Sequence, residues 1–387
     1  MSTPTGAPDA PHETDPETTT PETTLETMAQ TAAATSAGTA PGAAALPEPP
    51  AVPGPVQDTP PPADRARRLR ANPGLADRLF LLGARGSGAT VLALMLAVGS
   101  FLAYQGINAM RVGGFAFLTT PTWEPDSGRG HFGIEAVLTG TVLIGVVAVS
   151  LALPMALGMA LYISEYAPQR ARQTLISLVD LMAAVPSVVY GLWGFFFLEQ
   201  YMTGLARWIS TYFGWIPLFK VDGVSSSDPL APVATYTSST FIAGTVVAFM
   251  ITPIMCSVMR EVFGQAPAGE REGAYALGST RWGVIRSVVL PYGRGGIIGG
   301  TMLGLGRALG ETITVYMIIS MVFAVQPHLL QSGASTVSAL IALHYGDSSP
   351  FGLSALMAAG LALFLLTLAV NFLASTVVAR SRSGAST

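Results

Sequence analysis

Arg307 and Glu311 stand four residues apart in GLGRALGETITVYMI, a stretch with no other charge. A continuous helix would place both on one face, where they can pair and lower the cost of taking either out of water. Two chemistries follow. In one the pair is structural, with Asp180 as a third member. In the other the Arg307 guanidinium offers a forked donor to an oxyanion, and Glu311 holds it and limits trapping of the anion. A weak site suits passage better than a tight one, because an ion held firmly does not leave. Asp180 is the poorer member of such a route, since a carboxylate repels an anion. Pro186 and Ser187, in AAVPSVVYGLWGFF, add a second candidate. Proline removes a backbone donor there, and the small residues around it allow a close contact or a backbone opening onto a cavity.

Other chemistry is poorly provided for. Cys256 is the one cysteine, and His12, His131, His328 and His344 share no ligand spacing, so neither a disulfide nor a metal site is expected. No GxxxxGK[ST] loop occurs, so this chain should not bind ATP by that device, and no bound cofactor or nucleic-acid partner is expected. An intramembrane hydrolase would need a nucleophile with its base, or two carboxylates, and Arg307 one turn from Glu311 suits an acid role poorly.

The elements that must position these residues are apolar. Half of the 387 residues are hydrophobic and 11% are charged, which argues against a water-soluble globule. Residues 1–64 carry nine acids and no Lys or Arg, whereas the remainder holds twenty basic against fourteen acidic side chains, a net +6. The Thr/Pro/Glu-rich start, 1–75, reads as a disordered tail without an export leader, because it has too little apolar surface to offset chain entropy.

From residue 88 onward six apolar blocks reach the length of about 20 residues that a bilayer core requires, near 88–107, 136–163, 174–199, 240–262, 295–325 and 352–378. Fifteen arginines fall in the segments on the side of the N-terminus, and three arginines with Lys220 fall on the other, which places both termini in the cytoplasm. Pro154 and Pro253 are expected to bend their spans. A repeat that would mark a gradient-driven transporter is lacking beyond a Gly-Thr-Val at 140 and 244.

Between the fourth and fifth blocks lies a polar loop, 264–294. Its pattern predicts one short helix over Glu270–Ala276 closed by Gly278, and a second that runs through Trp282 to a stop at Pro291. Such a pair could rest on the headgroups, or present a rigid knob to a partner, with Ala274 and Gly278 on one face.

Glu272, Gly273, Ala274, Gly278, Val288, Leu290 and Pro291 have the spacing of the coupling loop in permease subunits of ATP-binding-cassette importers, with Gly273 replacing an Ala and Val288 an Ile. Residues 132–168, 185–197 and 304–318 resemble the PstC-type permease of phosphate importers in particular. The resemblance covers roughly 85–380. It implies an all-α, six-helix type I importer permease with cytoplasmic coupling helices in a bacterial inner membrane. It further implies a PstA-type sister subunit, a separate ATPase dimer that uses ATP and Mg, an external phosphate-binding protein, and a transport role for Arg307 and Glu311. Sulfate, molybdate and phosphonate permeases share the general loop pattern, so other oxyanions remain as alternatives.

Overall fold

The computed structural model describes residues 74–127, 132–223 and 232–383, and the tail expected over 1–75 lies almost wholly outside them. Among the described residues the fold is helical, with three isolated bridges (Trp123 with Phe132, Ser239 with Ser332, Met321 with Ala334) and no extended strand pairing. Apolar segments must satisfy their backbone groups internally when no water is at hand, and the helix does so within one segment.

Four of the six apolar blocks form continuous helices of spanning length: α1 (Leu75–Gly113), α2 (Glu135–Tyr166), α5 (Thr240–Gly264) and α11 (Pro350–Ser383). The other two are interrupted. The third block is split into α3 (Gln169–Ala183) and α4 (Ser187–Phe213), whose axes differ by 88°. Pro186 is the cause: it excludes Val185 from helical geometry and itself sits in an extended conformation as the N-cap of α4. The fifth block ends early, because α8 (Leu290–Leu309) stops at Gly310 and only the short α9 (Ile313–Ile318) follows.

Pro154 and Pro253 stay inside α2 and α5 without ending them. Pro291 was expected to stop the second loop helix, and it does not. The chain runs from α7 (Arg281–Val284) through a wide π turn at Ile285–Val289 directly into α8. Pro291 is the second residue of α8, just after that π turn.

α5 is the centre of the bundle. Small residues at every fourth position approach it from two sides. On α2 these are Ala148, Ala152, Ala156 and Ala160, all fully buried. On α8 they are Gly296, Gly300 and Gly304; a Cβ at Gly296 would lie 2.6 Å from Val262, and one at Gly304 would lie 2.6 Å from Met255. Backbones that close gain dispersion contact that larger side chains would prevent, which is how helices associate where lipid removes the hydrophobic drive. α1 packs chiefly on α11, with Gly106 against the Ala358 backbone, and leaves its most apolar stretch unburied. That surface, with Leu92, Leu94 and Leu96 outward, is suited to hydrocarbon or to another membrane subunit. The chain is a multi-pass membrane protein.

Candidate functional site

The two interruptions in the apolar blocks meet. Thr314, just past the break that ends α8, places its Oγ1 3.0 Å from the carbonyl oxygen of Ser187, just past the break that begins α4. Gly191, one turn on, lies so close that a Cβ there would sit 3.2 Å from the Thr314 Cα. Non-helical backbone within an apolar block is tolerated where it is covered by protein or lines a cavity, so joining two breaks solves the same problem for both.

Glu311 organises this junction. It is buried, and its Oε1 accepts from the Thr314 N–H at 3.2 Å and from the Thr314 hydroxyl at 2.8 Å. Its own carbonyl accepts from Ser338 Oγ at 2.8 Å, which ties in α10 (Val337–His344). The N-terminus of α10 is fixed in turn by α2, where Thr141 Oγ1 accepts from the Val337 N–H at 3.0 Å. Thr314, Ser338 and Thr141 were not singled out from the sequence. Isolated hydroxyl residues in apolar runs carry no spacing signal, and only the fold brings them together.

Arg307 is elsewhere. The helix breaks between it and Glu311, so the expected pairing on one face does not form, and no ion pair joins them among the described residues. Arg307 is exposed and lines an open cavity of about 660 Å³ with Ile254 of α5, Met302 and Gly306 of α8 and Asn371 of α11. The guanidinium therefore faces a space with few competing acceptors, in the last turn of α8 before its break. Tyr190 of α4 donates its hydroxyl to the Met182 carbonyl at 3.0 Å across the Pro186 break. Asp180 does not join this group. It is half-exposed on α3 with an oxygen 3.8 Å from Arg260 of α5, so it belongs to the end of the bundle that carries the 264–294 loop.

That loop forms α6 (Ala268–Ala276) and then α7. Gly278 sits between them with φ of +82°, a left-handed conformation that glycine adopts without strain. No residue of α6 is fully buried; Arg271 and Ala274 are half-buried and the rest are exposed. Ala274 is half-buried and Gly278 exposed, and Gly278 lies past the end of α6. The outward surface includes Glu272, Gly273, Tyr275 and Leu277, the last 89% exposed. Leu290 packs against the core at the start of α8, and Pro291 follows it. Among the described residues no group of three or more His, Cys, Asp or Glu side chains could hold a metal ion.

A bundle of membrane helices with two apposed breaks, a cavity holding one arginine and a helical knob at one end defines a transport permease. The chain matches, over residues 152–383, the model for the binding-protein-dependent transport system inner membrane component family, and it belongs to that family. It is 38% identical over 310 residues to the "Phosphate transport system permease protein PstC 2" of Mycobacterium tuberculosis, covering 80% of this chain and 93% of that one. It is 36% identical over 306 residues to the "Phosphate transport system permease protein PstC" of Xylella fastidiosa, covering 79% and 91%. A solved bacterial alginate ABC transporter shares the fold at 15% identity, with a TM-score of 0.51 over 78% of this chain and 95% of that one. The chain is accordingly a transport component, the permease subunit of a type I ABC importer, and not an enzyme. Membership of the family implies an ATPase and a substrate-binding protein as partners.

Proposed function

We propose that this chain is the permease subunit of an ATP-driven importer of inorganic phosphate. The identity to named phosphate permeases, sustained over more than nine-tenths of their length, carries the substrate. In this reading residues 85–380 form half of the conduit and a PstA-type sister subunit covers the open side of the Arg307 cavity. A phosphate-binding protein delivers cargo, and a separate ATPase dimer, using ATP and Mg, docks on α6. The protein resides in a bacterial inner membrane with both termini, and the acidic tail 1–75, in the cytoplasm, as the arginine distribution supports.

Arg307 gives a passing phosphate a charge-assisted donor in an otherwise apolar wall, with Asn371 as its polar neighbour. Ser187, Pro186 and Glu311 serve the route by shaping the junction of the two breaks, and Asp180 anchors α3 to α5 through Arg260. Outward movement of α6 by the ATPase reaches the conduit through α7 and α8, which are continuous with the break at Gly310.

The reading is tested in proteoliposomes holding the permease pair and the ATPase, with the binding protein outside. Uptake of labelled phosphate should stop when internal ATP is removed while a proton gradient is kept, and excess sulfate should not compete. Uptake driven by the gradient alone would refute ATP coupling, and equal competition by sulfate would refute the phosphate assignment.

A further inference from the structure

The exposed face of α6 explains how a partner could push on this chain, but something must carry that push inward. Only Arg271 and Ala274 of α6 are partly buried, and an alanine methyl offers little grip. Arg271 has a different reach. Its Nη2 donates to the Phe263 carbonyl at 2.6 Å, and its guanidinium lies beside the Glu165 carboxylate, with Nη2 to Oε1 at 3.2 Å and Nη1 to Oε2 at 3.4 Å.

Both partners sit at helix ends. Phe263 is fully buried in the last turn of α5, where the helix dipole favours a cation, and its carbonyl also accepts from the Ala266 N–H at 3.2 Å. Glu165 lies in the π turn that closes α2, and its side chain is 9% exposed. A carboxylate so buried needs a cation nearby, and a planar guanidinium, with five N–H donors in a fixed fork, can serve a carbonyl and a carboxylate together.

We infer that Arg271 is a positioning residue that clamps the coupling helix to the ends of α2 and α5, so that displacement of α6 moves both spans as one body. This rests on the reading of α6 as the ATPase contact. α2 and α5 are the helices whose close packing forms the core, and α2 also holds the N-terminus of α10 at the junction. A clamp at Arg271 therefore connects the outer knob to the route by a contiguous chain of named contacts. Glu272, its neighbour in sequence, points outward and has no part in it.

The test uses the full permease pair with its ATPase in lipid nanodiscs, with Cys256 replaced by Ala. Spin labels at Glu270→Cys on α6 and Tyr166→Cys on α2 report the spacing of the two helices with and without bound nucleotide. A single narrow distance distribution is expected in both states, and Arg271→Gln should broaden it. In proteoliposomes the same variant should lower phosphate transported per ATP hydrolysed by roughly threefold or more, the scale of coupling that side-chain networks carry. Glu165→Gln should have a smaller effect in the same direction, and the double variant should be no worse than Arg271→Gln alone. An unchanged distance distribution in Arg271→Gln would overturn the clamp. If that variant fails to assemble, Glu165→Gln decides: an unaltered transport ratio together with an unaltered distribution would refute the inference. The distance measurement requires no substrate, so its outcome stands apart from the phosphate assignment.

Discussion

Replacing Gly140 by Ala tests whether the seat of the α10 N-terminus on α2 is as close as the structure has it. A Cβ at Gly140 would lie 2.1 Å from the Ser335 carbonyl oxygen, with the Ser335 carbon and nitrogen at 3.2 and 3.3 Å. Carbon and oxygen tolerate about 3.3 Å, so the 335–337 backbone would have to retreat by about 1.2 Å. The adjacent Thr141 hydroxyl, now 3.0 Å from the Val337 N–H, would lose that donor. Overpacking costs about 1–3 kcal/mol and a buried group left without its partner about 1–3 kcal/mol more, so the expected loss is about 2–6 kcal/mol. At about 2–4 °C per kcal/mol the melting temperature of the purified subunit in detergent should fall by about 4 °C or more. Gly158, in the same helix with nothing near its position, supplies the control. Gly158→Ala should leave stability unchanged or raise it by up to about 1 kcal/mol, since alanine is the better helix former. Equal melting temperatures for wild type and Gly140→Ala would refute the close approach and the role of α2 at the junction.

Three further outcomes are expected. Arg307→Gln should cut phosphate flux about tenfold or more, the value of one charge-assisted hydrogen bond, while the complex still co-purifies; wild-type flux would remove Arg307 from the route. Glu272→Ala should weaken recovery of the ATPase with the permease about tenfold, read by titrated pull-down, and undiminished recovery would move the docking surface off α6. Asp222, in the loop after α4, accepts a hydrogen bond from Lys220 at 2.9 Å, and that bond, with the charges of Lys220 and His328, holds its carboxyl below the ordinary range. A depressed folded value means the contribution is present above the ordinary carboxylate range and is lost as pH falls through the lowered one. Proteolysis of this loop should therefore rise with acid in wild type and vary less with pH in Asp222→Asn; identical profiles would count against the pairing.

The membrane class, the apolar blocks and the loop motif were legible because they rest on local composition and spacing. A run of twenty apolar residues has few stable options in lipid, and the left-handed Gly278 that closes α6 is a local requirement of the turn. Arg307 was also legible, since any charge in such a run stands out. Its relation to Glu311 was not. Spacing on an assumed helix put them together, whereas Gly310 ends the helix and Glu311 turns to Thr314.

What the sequence determined by itself, then, is which segments leave water and which residue types are costly enough there to need a purpose. The tertiary structure alone decided their partners. Whether a buried carboxylate meets an arginine one turn away or a hydroxyl beyond a break depends on where two interrupted helices touch. Likewise Arg271 reads as one more loop arginine until α2 and α5 end beside it. Such contacts join residues more than a hundred positions apart, Thr314 to Ser187 and Arg271 to Glu165, and their energies arise from packing that no local pattern encodes.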